Sequence, residues 1–225
     1  MLLACRNGNF VLMKQYSNYI FDLDGTLLNT LDDLCASCNY ALKTMGFAQR
    51  TTDEVRRFVG NGVAKLMERA VPDGTSAGQT AEALAVFRKH YLDHGLDTTR
   101  PYDGIPELLT ALRQRGNRVA VVSNKFNDAT RQLCAHFFPD TVEVAIGETA
   151  AIRKKPAPDT VMEAMRQLGV DAAGTVYVGD SDVDVMTARN SGLPCISVLW
   201  GFRDRAFLED CGATVFAARP ADILY

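Results

Sequence analysis

The chain has 225 residues, 24 Lys and Arg against 27 Asp and Glu, and a net charge of −3. Apolar residues make up 47% and charged residues 23%, which excludes global disorder and a fibrous repeat and leaves one large domain or two small ones. The balance is no footprint of a nucleic-acid or anionic-membrane partner, and the longest apolar stretch, Gly192 to Phe202, falls short of the about 20 residues that span a bilayer.

Six cysteines are too sparse for a disulfide scaffold and point to a reducing, cytoplasmic setting. The opening Met-Leu-Leu-Ala-Cys lacks the basic segment and apolar core of a lipoprotein leader, so no lipid anchor is expected. Met13 opens a segment running directly into the first strand, and residues 1–12 read as an upstream extension without a structural role.

Tyr19-Ile20-Phe21 is a short buried strand ending at Asp22, and Asp24-Gly25-Thr26 breaks it as a turn. A helix follows from Thr30 to Met45, stopped by Gly46. Thr51 and Glu54 form a capping box that opens a helix, which Gly60-Asn61-Gly62 interrupts. Val63 to Ala70 is a further helix, residues 72–80 are a loop, and Ala81 to Asp93 is helical again. Residues 29–98 thus carry helices and no strand signal.

After Pro101 strands and helices alternate: helix Pro106 to Arg115, strand Arg118 to Ser123, helix Asp128 to His136, strand Val142 to Ile146. Helix Asp159 to Leu168, strand Thr175 to Gly179, helix Asp182 to Asn190 and strand Pro194 to Leu199 complete the series. Alternation of this kind means an α/β fold, a doubly wound parallel sheet covered on both faces. Residues 1–28 and 99–225 form this Rossmann-like core, and residues 29–98 an inserted all-helical domain.

Ligands of such sheets bind beyond the carboxyl ends of the strands. Asp22 and Asp24 follow the first strand there, and Ser123 and Asn124 the second. Lys154 and Lys155 lie in the loop after the third, and Asp180, Ser181, Asp182 and Asp184 follow the fourth. Carboxylates crowded at one edge repel one another unless a cation joins them. Oxygen-only donors suit Mg²⁺, which commonly links one or two carboxylates to a phosphate. Lys155 adds positive charge, and Thr26, Ser123 and Asn124 add neutral donors for phosphoryl oxygens. Asp22 is placed to act as a nucleophile, and Asp24, two residues on, to serve a leaving-group oxygen as acid and then base, which calls for partial burial.

Phe21-Asp22-Leu23-Asp24-Gly25-Thr26-Leu27 resembles the first motif of the haloacid-dehalogenase-like phosphatases. Ser123-Asn124 is similar to the second, Lys155-Pro156-Ala157-Pro158 to the third, and Val178-Gly179-Asp180-Ser181 with Asp184 to the fourth. The resemblance implies Asp22 as nucleophile and Asp24 as acid/base. It implies Mg²⁺ held by Asp22, the Asp24 backbone carbonyl and Asp180, with Asp184 orienting that shell, and Ser123 and Lys155 on the transferring phosphoryl group. It further implies that the helical insertion is a mobile cap closing over a small phosphorylated metabolite, in a monomer or homodimer. Arg56 to Gly62, Tyr102 to Ile105 and Val198 to Phe202 resemble the phosphoglycolate phosphatase branch, which makes 2-phosphoglycolate the expected substrate and Asn61, Gly62 and Lys65 the expected cap selector.

Phosphosugar mutase, pyrophosphatase and nucleotidase activities share this frame, and a phospho-receiver signalling domain also forms an aspartyl-phosphate. Receivers, however, are about half as long and have no use for an acid like Asp24. Cys35-x-x-Cys38 has no second pair, and His90 and His94 lack a neighbouring Glu, so both read as helix packing rather than metal sites.

Overall fold

The computed structural model describes residues 3–6, 9–12 and 15–225. Leu3–Arg6 (β1) and Asn9–Leu12 (β2) pair antiparallel as a sheet of their own, so part of the segment expected to lack a structural role is a hairpin. The rest of residues 1–12 lies outside the described residues.

Asn18–Phe21 (β3) is the centre of the main sheet. Leu28–Asn29 (β4) and Arg100–Pro101 (β5) form a two-residue antiparallel ladder, where residue 29 carried no strand signal; a strand this short is below the reach of any hydrophobic period. Arg118–Phe126 (β6), Val144–Glu148 (β7), Thr175–Gly179 (β8), Cys195–Val198 (β9) and Phe216–Ala217 (β10) complete the set. The large sheet has the order β10-β9-β8-β3-β6-β7, with all neighbours parallel. β6 outruns its expected end at Ser123 because pairing with β7 resumes, past an irregularity, at Phe126 and Glu148.

The period of two sorts this sheet into layers. Tyr19 and Phe21, Val119 and Val121, and Val176 and Val178 face one apolar cluster together with Leu108, Leu109 and Leu112 of helix α5 (Ile105–Gln114). Ile20, Ala120, Val122 and Tyr177 face the other, with Val161, Ala164 and Met165 of α7 (Asp159–Leu168) and Ala188 of α8 (Asp182–Asn190). Helix α6 (Asn127–Phe137) joins the first layer through Leu133 and Cys134. After β9 the sequence patterns fell silent; the chain there makes α9 (Arg205–Asp210), β10 and a closing 3₁₀ turn, Pro220–Leu224.

Between β4 and β5 lie α1 (Leu31–Thr44), α2 (Thr52–Phe58), α3 (Val63–Ala70) and α4 (Ala77–His94). They bury an apolar core of their own, with Leu34, Leu42, Leu66, Met67 and Phe87 nearly or wholly hidden. Helix α4 starts at Ala77 rather than at residue 81, because Ser76 and Gln79 cap it reciprocally inside a stretch that reads as loop. Buried Asp33 ties the root of this insertion: its carboxylate accepts the backbone N–H and hydroxyl of both Thr98 and Thr99, at 2.8 and 2.7 Å for Thr99. Burial alone would raise the Asp33 pKa, but these hydrogen bonds prevail and hold it below the ordinary value.

Candidate active site

β3 sits between β8 and β6, so chain connections leave in opposite directions from its carboxyl end. That is the switch point where open α/β sheets bind ligands, and Asp22 is the first residue beyond it. Its N–H continues the ladder to the Val178 carbonyl (2.9 Å), which aims the side chain off the sheet's edge. One carboxylate oxygen lies 2.8 Å from Lys155 Nζ.

Lys155 is held from several sides. Its ammonium also contacts Asp184 Oδ1 at 2.8 Å and the Tyr177 hydroxyl oxygen at 3.1 Å. Tyr177 donates to that same Asp184 oxygen, while the second Asp184 oxygen accepts the N–H and hydroxyl of Ser181. Asp184 is fully buried and hydrogen-bonded at both oxygens, a side chain that orients neighbours. Tyr177 was not expected here; it reads as a core aromatic in a strand, and only its hydroxyl reveals the contact.

Asp180 occupies a seat made of glycines. A Cβ on Gly25 would lie 2.4 Å from its Oδ2, and one on Gly201 would lie 2.3 Å from its Cβ; Gly25 also has φ +85°, which side chains resist. Thr26 donates to Asp180 Oδ1 (3.3 Å), and the Phe202 N–H donates to Oδ2 (2.6 Å). Thr26, expected to meet phosphate, is thus fully buried and turned to Asp180.

Oxygens of Asp22, Asp180 and Asp184 lie within 4.8 Å of one another. Burial, then the charge of Asp184, pushes Asp180 up to about 7, and the same two causes raise Asp22 well above the carboxylate range. A cluster so crowded and desolvated, offering oxygen donors alone, fits a hard divalent cation that would restore its ionisation.

Asp24 faces the same cavity. Its Oδ1 accepts the Thr30 hydroxyl at 2.6 Å, and Lys125 Nζ reaches both carboxylate oxygens at 2.9 and 3.1 Å. The buried Lys125 ammonium also lies 4.5 Å from the centroid of the Tyr91 ring on α4. Sequence reasoning passed over Lys125, although strand alternation puts it on the same side as Ser123. Ser123 lines the cavity and accepts the Lys125 N–H. Asn124 lines it too, but its amide nitrogen donates to the Gly60 and Lys155 carbonyls, and only its buried Oδ1 lacks a partner among the described residues.

Val59, Gly60, Gly62, Val63 and Leu66 of the insertion roof the cavity, whose volume is about 40 Å³. Gly62 is therefore at the site. Asn61 and Lys65 are not among the lining residues: the Asn61 carbonyl accepts from Lys154, and exposed Lys65 pairs with Glu68 at 2.6 Å. Arg203 does line it, and donates to the carbonyls of Arg56 (2.9 Å), Val59 (2.8 Å) and Arg57 (3.5 Å). Away from the site, Cys35 and Cys38 are buried in the insertion, and His90 and His94 engage Ser37 and Asp97 through Nδ1.

A family model described as haloacid dehalogenase-like hydrolase matches residues 19–198. A phosphoglycolate phosphatase of Aquifex aeolicus is 32% identical, over 81% of this chain and 84% of that protein. One from Mesorhizobium japonicum is 34% identical, over 84% and 86%. A crystal structure of a candidate phosphoglycolate phosphatase from Lactobacillus delbrueckii subsp. bulgaricus superposes with a TM-score of 0.89 at 36% identity, covering 94% of this chain and 98% of that one.

Proposed function

The chain belongs to the haloacid dehalogenase-like hydrolases and is a phosphatase, and from that premise we propose that it hydrolyses 2-phosphoglycolate through an aspartyl-phosphate on Asp22. The observation that carries the mechanism is the convergence on one small cavity of Asp22 with Lys155 at 2.8 Å, the Asp180 carboxylate beside it, and Asp24. The relatives' names support the substrate.

In the first step an Asp22 oxygen bonds to phosphorus and the ester P–O bond breaks. The departing alkoxide takes a proton from Asp24, which must swing free of Lys125 to give it. In the second step water adds to phosphorus, Asp24 accepts its proton, and the aspartyl P–O bond breaks to release phosphate. In this structure the Asp24 carboxylate is held by Lys125 at 2.9 and 3.1 Å. Lys155 and Ser123 hold the phosphoryl oxygens. Mg²⁺ would be held by Asp22, the Asp24 carbonyl and Asp180, and when bound it supplies charge neutralisation at the phosphoryl group. Asp184 and Tyr177 keep Lys155 in place.

The test is phosphate release, with Mg²⁺, over a panel of small phosphomonoesters. The highest kcat/KM is expected for 2-phosphoglycolate. Faster release from a sugar phosphate, a nucleotide or pyrophosphate would reassign the substrate, and isomerisation without release would make the enzyme a mutase. Asp22→Asn should remove turnover by at least about 10⁴-fold; near-normal turnover would refute covalent catalysis by that residue.

A further inference from the structure

Three cationic side chains line the cavity: Lys125, Lys155 and Arg203. Two are already committed, Lys125 to Asp24 and Lys155 to Asp22 and Asp184. Arg203 makes no ion pair among the described residues. Its guanidinium rests on neutral carbonyls of Arg56, Arg57 and Val59. Those three bonds use Nη1 and Nη2 and leave two of its five N–H groups, Nε among them, without a hydrogen-bond partner among the described residues. Its guanidinium carbon also stands 5.7 Å from the centroid of the Phe207 ring.

Nearby cations offer no substitute. Lys65 is held outside by Glu68, and Lys154, which does not line the cavity, lies 3.9 Å from Glu148. A second negative charge, entering with the phosphoryl group, therefore has one lining cation to meet that is in no salt bridge among the described residues. We infer that Arg203 is a specificity-determining residue that receives the carboxylate of 2-phosphoglycolate at the seam between core and insertion. This inference rests on the substrate reading above. A guanidinium suits the task because it stays charged at any working pH and matches a carboxylate in geometry. The same side chain bonds the roof through residues 56–59, so the group that selects the substrate also holds the cavity shut over it.

The experiment measures kcat and KM for 2-phosphoglycolate and for 2-hydroxyethyl phosphate, which replaces the carboxylate with a neutral group. Wild-type enzyme, Arg203→Gln and Arg203→Lys are compared with Mg²⁺ present, with thermal melting as the check on folding. Both esters should slow in Arg203→Gln, because the roof contacts are lost. The ratio of their kcat/KM values should fall by roughly ten- to a hundredfold, the range of a charge-assisted hydrogen bond, chiefly through KM for the carboxylate ester. Arg203→Lys should retain part of the preference. An unchanged ratio in Arg203→Gln would overturn the inference and hand the carboxylate to another donor, such as the backbone at the start of α3. Should the Gln variant fail to fold, Arg203→Lys decides: a several-fold fall in the ratio supports the inference, and an unchanged ratio overturns it. A wild-type enzyme indifferent to the carboxylate would fail the substrate reading first, and the inference with it.

Discussion

Two lysines, each locked to a carboxylate, form two corners of one cavity, and their surroundings differ. Lys155 is enclosed within the core. Its partner Asp184 is 0% exposed, and Tyr177 and Ser181 saturate the pair. Lys125 bridges two bodies: its partner Asp24 keeps 13% of its side chain open to solvent, and its ammonium leans on Tyr91 of the helical insertion. The first corner is fixed on every side by buried partners. The second ties Asp24, through Lys125 and Tyr91, to the insertion that forms the roof. In both, desolvation works against the lysine's charge, and the neighbouring carboxylates win, raising the lysine pKa.

The sharpest way to break this contrast is Lys155→Met. It strands Asp22 and Asp184 as buried charges, a loss of about 3–5 kcal/mol when a buried pair is cut on one side. A drop of roughly 6–20 °C in melting temperature is expected for a chain this long, with turnover lost as well. A variant as stable as the parent would show that the two carboxylates relax by taking up protons. Lys125→Met should cost less, about 1–2 kcal/mol, because Asp24 can reach water. Its signature is kinetic: a fall in kcat of about 10- to 100-fold with little change in KM. Equal melting losses in the two variants would erase the distinction between the corners.

The smallest effect is a pH dependence, and it sharpens the same point. Asp22 and Asp180 have pKa values raised above the unfolded range, Asp180 to about 7. Between about pH 4 and 7 the folded state therefore holds more protons than the unfolded state, so stability falls as pH rises through that window. Without metal, the melting temperature should decline by a few degrees across it. Saturating Mg²⁺ should flatten the decline by binding the ionised form. A slope that ignores Mg²⁺ would deny the carboxylate cluster its cation.

Much of the site was legible because backbone order carries it. A period of two marks the strands, glycines and prolines mark their ends, and the parallel-sheet rule collects whatever follows each strand at one edge. That rule places Asp22, Asp24, Ser123, Lys155, Asp180 and Asp184 at one edge, and helices α3, α7 and α8 fall on the residues their patterns indicate. Local sequence failed where polar residues lie inside regular structure. The capping box at Ser76 hid the first turn of α4, and the polar end of β6 hid Lys125.

The sequence by itself determined the sheet, its helical insertion and the acidic rim, because these follow from periodicity and from residues that act within a few positions of one another. Only the tertiary structure decided which groups are spent on each other. Thr26 turns to Asp180, Asn124 uses its donors on two carbonyls, Lys65 stays outside with Glu68, and Arg203 arrives 144 residues after Val59 to bond its carbonyl. Such pairings depend on distances between segments far apart along the chain, and no local pattern encodes them.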